Sequence, residues 1–261
     1  MSRLPLTFAC GSHTLAGTLD TAPGKTGLLI VSGGNEIRSG AFSGQARLAR
    51  AIAKSGFPVF RFDRRGVGDS EGENRGFRKS KRDIASARDA LIALAPEVER
   101  VVAFGNCDAA SALMLSGGAG FDALVLANPW TIDGEDEAET TALPPAAIRE
   151  RYAQKLKDPA EIKRLLSGGV NLGKLARGVI KAAKPASDEP RGLAEEMRAG
   201  LAQFDGSVSI LLASADRSAI AFEEAWGEDP RVEKCEGAGH AFVVPEHSKW
   251  LERRILATLR A

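Results

Sequence analysis

Short apolar runs alternating with segments of helical periodicity constrain this chain more than any other feature. Residues 27–31 (GLLIV) and 123–127 (ALVLA) are continuous apolar stretches, too short for core helices. Such runs suit strands buried on both faces, the situation in a parallel sheet covered by helices on each side. Further strands are expected at 58–62, 101–104, 208–213 and 231–235. Helical spacing marks 43–55, where Ala46, Leu48, Ala49, Ile52 and Ala53 recur on one face. It marks 80–95 in the same way through Ile84, Ala87, Leu91 and Leu94, and helices are also expected at 108–115, 218–226 and 245–260. A hairpin is expected near the start, with residues 5–10 and 14–19 joined across Gly11-Ser12. The expected class is α/β, with a mostly parallel sheet flanked by helices.

The alternation breaks after 127. Pro129-Trp130 ends the strand, an acidic stretch follows at 133–139, and helical segments are expected at 145–157, 159–166 and 171–184. The expected organisation is therefore a core of residues 1–128 and 196–261, with a helical cap at 129–195. The length of 261 residues agrees, being large for one minimal domain and small for two. Thirty-five Lys+Arg against 34 Asp+Glu give a net charge of +1, which argues against a nucleic-acid partner. No run approaches a membrane span, and the first residues lack the apolar segment of a signal peptide, so a cytoplasmic location is expected. The three cysteines, Cys10, Cys107 and Cys235, form neither a disulfide framework nor a zinc pattern.

Chemistry concentrates at four strand ends. Gly105-Asn106-Cys107-Asp108-Ala109 lies between a strand and a helix, with the spacing of a G-x-S-x-G nucleophile elbow. Cys replaces Ser, and Ala replaces the last Gly. The small flanking residues permit a tight turn, and the helix N-terminus favours a thiolate. His240 stands in a glycine-rich loop (GAGHAF) after the last strand, and Asp216 follows the strand at 208–213. The chain order is nucleophile, acid, base, as in α/β-hydrolases rather than the two familiar serine-protease folds. Asp205 and Asp229 suit a strand-end acid less well. Ser32-Gly33-Gly34-Asn35 ends an early strand, and an amide from Gly34 or Asn35 could join that of Asp108 in an oxyanion hole. In FDRRGVGDSEG (62–72), Gly66 and Gly68 are expected to allow tight turns, with Asp63 pairing locally.

These segments, FDRRGVGDSEG, GNCDA, ASAD and GAGHAF, resemble the α/β-hydrolase superfamily across nearly the whole chain outside the insertion. Within it, GNCDAASA, GGNEIRSG and SGGVNLGKL are similar to the exosortase A system-associated hydrolase type 1 family. That resemblance implies a bacterial, cytoplasmic hydrolase-like protein encoded beside exopolysaccharide and exosortase systems, and supplies no substrate.

Cys10 and Cys235, on expected strands, read as packed thiols, while His13 and His247 read as surface or packing residues. Residues 149–184 hold ten basic side chains against three acidic ones. Leu172, Leu175, Ala176, Val179, Ile180 and Ala183 form an apolar stripe there. A cap helix packed on the core explains this arrangement. Contact with an anionic partner, such as a membrane surface, explains it as well. The expected activity is cleavage of an ester or thioester by a Cys107–His240–Asp216 triad through an acyl-enzyme, with no metal or organic cofactor. Acyl transfer at the same site is one alternative, and a non-catalytic binding protein that kept the fold is another.

Overall fold

The computed structural model describes residues 2–118, 120–132 and 192–261. The helices expected at 145–157, 159–166 and 171–184 lie outside the described residues, as does most of the expected cap. The chain divides into two units, Met1–Ile132 with Leu193–Ala261, and Asp133–Gly192. The first holds every described strand and helix.

Its elements are β1 (Arg3–Cys10), β2 (His13–Asp20), β3 (Thr26–Val31), α1 (Gly44–Lys54), β4 (Val59–Phe62), α2 (Lys81–Leu94) and β5 (Arg100–Asn106). They continue with α3 (Asp108–Leu115), β6 (Ala123–Ala127), α4 (Leu193–Leu201), β7 (Ser207–Ala213), α5 (Arg217–Trp226), β8 (Val232–Cys235) and α6 (Pro245–Arg260). The eight strands form one sheet in the order β1-β2-β4-β3-β5-β6-β7-β8. β1 pairs antiparallel with β2, and β2 antiparallel with β4; every pairing from β4 to β8 is parallel. The expected hairpin, strands and core helices are all present, with ends displaced by one or two residues.

The continuous apolar runs are explained by the layers. Strand side chains point alternately to opposite faces. Leu28 and Ile30 enter the cluster formed with Leu48 and Ile52 of α1 and Leu251 and Ile255 of α6. Leu29 and Val31 enter the opposite cluster, with Leu91 of α2, Leu113 of α3 and Phe222 of α5. Both faces of the strand need apolar residues, so the polar alternation of a half-buried strand is absent.

One core helix is not expected from the sequence. α4 straddles the expected boundary at 195/196 and buries Leu193, Met197 and Leu201. These apolar positions recur every fourth residue, but Glu195, Glu196, Arg198 and Gly200 between them give the segment the composition of a linker. Met197 is fully buried in the cluster below α3. Met197→Ala should therefore destabilise the protein by about 2–5 kcal/mol, read from the midpoint of urea unfolding. A change within a few tenths would show that α4 is not part of the cooperative core.

The FDRRGVGDSEG segment is a run of tight turns, closed by the Val67 amide on the Arg64 carbonyl, the Ser70 amide on the Val67 carbonyl and the Gly66 amide on the Glu71 carbonyl. Asp63, fully buried, accepts from the Asp69 amide at 3.2 Å and pairs with the Arg38 guanidinium. Gly66 and Gly68 both have positive φ, and a Cβ on Gly68 would lie 2.4 Å from Asp63 Oδ2. The turns expected of these glycines are present. The reach of Asp63 to Arg38, 25 residues away, was not expected.

Candidate active site

β5 runs straight into α3, and Cys107 is the single residue between them. It caps α3 with φ 62° and ψ −131°, a conformation that costs an L-residue on the order of 1–3 kcal/mol. The neighbours explain how so sharp a turn is held. A Cβ on Gly105 would fall 2.8 Å from the Ala109 carbonyl carbon and the Ala110 nitrogen. Only glycine allows strand and helix to approach this closely. The Cys107 amide donates to the Ala127 carbonyl at 3.0 Å, which ties the turn to β6.

The three thiols differ in setting. Cys107 is half-buried, while Cys10 and Cys235 are buried. Cys10 donates to Asp83 at 3.5 Å. Burial, followed by the charge of Glu236, pushes the Cys235 thiol up from its ordinary value. Cys107 alone combines access with a partnering imidazole.

The acid and base come from the ends of β7 and β8. Asp216 is the N-cap of α5 and is buried; it accepts from the Ala219 amide at 3.3 Å and from His240 Nδ1 at 2.9 Å. A carboxylate on Nδ1 fixes the proton there and leaves Nε2 for the sulfur. His240 is pushed up from 6.5 to about 10. The largest cause is its hydrogen bond to Asp216, followed by that to Cys107; burial opposes both, and the charges of Cys107 and Asp216 add smaller upward contributions. The imidazolium is therefore favoured through neutral pH. A raised folded pKa contributes stability that is complete below 6.5 and is lost as pH rises through about 10. Asp216→Asn should bring the His240 titration down toward 6.5, followed by the ring Cε1–H signal in NMR. An unchanged titration would assign the shift to another cause.

The other two aspartates are placed elsewhere. Asp229 binds Arg231 at 2.6 Å and the Trp226 indole at 2.9 Å, and the Arg231 hydrogen bond holds its carboxyl well below the usual range. Asp205 is exposed.

The expected oxyanion donors differ among themselves. The amides of Asp108 and Asn35 make no hydrogen bond among the described residues. The Gly34 amide donates to the Asp108 carboxylate at 2.7 Å. The loop is pressed against the elbow, since a Cβ on Gly33 would lie 2.6 Å from the Asn106 carbonyl oxygen. Arg64 Nη2 contacts the same Asp108 carboxylate at 3.3 Å and also donates to the Gly34 carbonyl.

Two further residues position the site and were not read from the sequence. Asn128, fully buried with φ 42°, follows β6. Its Oδ1 accepts from the Ala213 amide at 2.8 Å, and its Nδ2 donates to Asn106 Oδ1 at 2.9 Å and to the His240 carbonyl at 3.2 Å. Asn106 Nδ2 donates to the same carbonyl at 3.1 Å. One polar network thus joins the elbow, β7 and the histidine loop. A buried Asn at the end of an apolar strand, followed by Pro129, is the signal that could have revealed it.

Two clefts open on the described surface, neither lined by Cys107, Asp216 or His240. One is a shallow, open cleft of mixed character, in which Leu48, Phe104, Phe242 and Leu251 stand with Glu36, Arg47 and Asn106. The other is small and basic, with Arg64, Arg65, Arg75 and Lys79 against Glu73 and Asp83. Among the described residues, no group of three or more His, Cys, Asp or Glu is arranged to hold a metal ion, and no helix is long and apolar enough to cross a membrane.

An eight-stranded sheet in this order, with a strand–helix elbow at the end of β5, defines an α/β-hydrolase fold. A model of the alpha/beta hydrolase family matches residues 28–254, and the chain belongs to that family. No curated protein matches the sequence. Similar solved structures include the alpha/beta hydrolase GrgF from Penicillium sp. sh18, at 16% identity and a TM-score of 0.67, covering 100% of this chain and 98% of that one. The Pyrococcus furiosus esterase Pf2001 is 16% identical with a TM-score of 0.60, covering 99% and 92%. Est1E from Butyrivibrio proteoclasticus, solved with ferulic acid bound, is 16% identical with a TM-score of 0.58, covering 98% and 100%. At such identities the likeness concerns the fold.

Proposed function

We propose that this protein cleaves carboxylic esters or thioesters, with Cys107 as nucleophile, His240 as proton carrier and Asp216 as the group that orients the ring. The observation that carries this reading is the His240 ring paired through Nδ1 with the buried Asp216 carboxylate at 2.9 Å, together with Cys107 at a strained strand–helix elbow. The family supports a hydrolase, and the esterases among the similar folds support the ester bond.

A protonated His240 stabilises negative charge on the adjacent sulfur. The sulfur attacks the acyl carbon, and the carbonyl π pair moves onto oxygen. Free backbone amides at Asp108 and Asn35 are available to that oxygen. Collapse breaks the bond to the leaving alkoxide or thiolate, which takes the proton from His240. Water then attacks the acyl-sulfur bond, passing a proton to His240. The acid is released and the sulfur is restored as leaving group. An alcohol or thiol in place of water gives acyl transfer with the same steps.

The resemblance carried by GNCDAASA, GGNEIRSG and SGGVNLGKL supports a role beside bacterial exopolysaccharide systems and a cytoplasmic setting. The basic residues of 149–184 support an anionic partner such as a membrane surface.

The test is a panel of aryl esters and acyl thioesters of graded chain length, assayed with the native protein and Cys107→Ala. Turnover that Cys107→Ala abolishes supports the reading, and acyl products formed with added acceptors mark transfer. In parallel, iodoacetamide should label Cys107 ahead of buried Cys10 and Cys235, located by mass spectrometry. Undiminished turnover by Cys107→Ala would remove the nucleophile assignment, and no turnover of any substrate by the native protein would favour a binding role.

A further inference from the structure

The carboxylate of Asp108 occupies the Gly34 amide, a donor that the oxyanion reading would assign to the substrate. Asp108 follows the nucleophile, and its side chain leaves the first turn of α3 to reach Gly34 of another loop. An acid at a helix N-terminus is stabilised by the helix dipole whichever way it points, so the dipole does not explain this contact. The contact uses the Gly34 amide, one of the backbone donors of the loop that packs against the elbow. A substrate oxygen gaining negative charge cannot share that donor with a carboxylate, because like charges at hydrogen-bond distance repel strongly.

A second partner stands beside the carboxylate. Arg64 is almost fully buried, and its Nη2 lies 3.3 Å from Asp108 Oδ2 and 3.5 Å from Oδ1. Both distances are long for a charge-assisted bond, whereas the Gly34 contact at 2.7 Å is short. The carboxylate thus sits closer to the amide than to its counter-ion. Arg64 is itself fixed by Ser80 Oγ at 3.2 Å and by the Gly34 carbonyl. Rotation of the Asp108 side chain toward Arg64 would free the amide, shorten the ion pair and leave no charge unpaired.

We propose that Asp108 is a movable occupant of the oxyanion site, with Arg64 as the partner that receives it when substrate enters. The inference rests on Cys107 being the nucleophile. It makes Asp108 a specificity-determining residue: the site opens only for a substrate whose developing oxyanion outcompetes the carboxylate.

The test compares the native protein, Asp108→Asn and Cys107→Ala, using the best ester of the panel and an alkyl trifluoromethyl ketone. The ketone adds to the Cys107 sulfur, its carbonyl π pair moving onto oxygen with no group lost, so its affinity reads the oxyanion site without turnover. Asp108→Asn should raise kcat/KM by about 10-fold and tighten the ketone by a similar factor, since one oxyanion donor is worth about 10²–10³-fold and Asn keeps a weaker hold on it. Arg64→Lys, which keeps the charge and loses the fork, should lower kcat/KM in the native background and have less effect in Asp108→Asn. Circular dichroism confirms that each variant is folded. If Cys107→Ala is inactive while a folded Asp108→Asn matches or falls below the native protein in both measurements, this inference is overturned and the nucleophile stands. If Cys107→Ala retains activity, both fall.

Discussion

Cys107→Gly yields a protein that is more stable and inactive. The native residue holds φ 62° and ψ −131°, a region in which glycine is unstrained. Relief of on the order of 1–3 kcal/mol is partly offset by the greater freedom glycine brings to the unfolded chain, about 0.5–1 kcal/mol. A net gain near 1 kcal/mol is expected in urea unfolding. Ester cleavage should fall by about 10⁴-fold or more, the scale seen when the central nucleophile of a triad is removed. If Cys107 is the nucleophile proposed above, the two effects share one cause, because the same bend strains the backbone and sets the sulfur at the end of β5. A destabilised variant would mean that contacts of the sulfur, chiefly with His240, outweigh the backbone strain.

Asn128→Ala has the opposite signature, a large loss of stability together with a loss of rate. It removes three side-chain hydrogen bonds and strands the Ala213 amide. It also places alanine at φ 42°, where Asn is better tolerated. Each buried group left unpaired costs about 1–3 kcal/mol, so a total of about 3–5 kcal/mol is expected. The His240 carbonyl keeps its tie from Asn106 Nδ2 and the ring keeps Asp216, so the loop loosens rather than detaches. The expected kinetic result is a kcat lowered by about 10-fold with a smaller change in KM, since Asn128 acts through the His240 loop and does not itself line either cleft. Below the unfolding transition, a kcat equal to that of the native protein would separate the network from catalysis.

What the sequence revealed follows from what local patterns encode. β5, the elbow and α3 are written within sixteen consecutive residues, from an apolar run through Gly105 and Cys107 to a second apolar run. Each choice there answers a local demand for a strand, a tight turn or a helix. Asp216 and His240 were legible because they sit just beyond strands that the apolar pattern locates. α4 was not legible, because its apolar face is only three residues wide and acquires meaning only against α3. Arg64 looked like part of a turn, yet it reaches an acid 44 positions away. The Gly34 amide was read as a free donor, because periodicity carries no information on which carboxylate will face it across 74 residues. The strand ends that carry the candidate site were thus visible one by one, while the polar contacts among them required the folded chain.

Asp216 serves two structures at once: its carboxylate closes the first turn of α5 through Ala219 and steadies the His240 ring. Fraying of that turn and loss of ring alignment are therefore a single event seen from two sides. The Ala219 amide becomes a spectator of the chemistry, and its rate of hydrogen exchange would report, in the absence of any substrate, how often the imidazole is out of line.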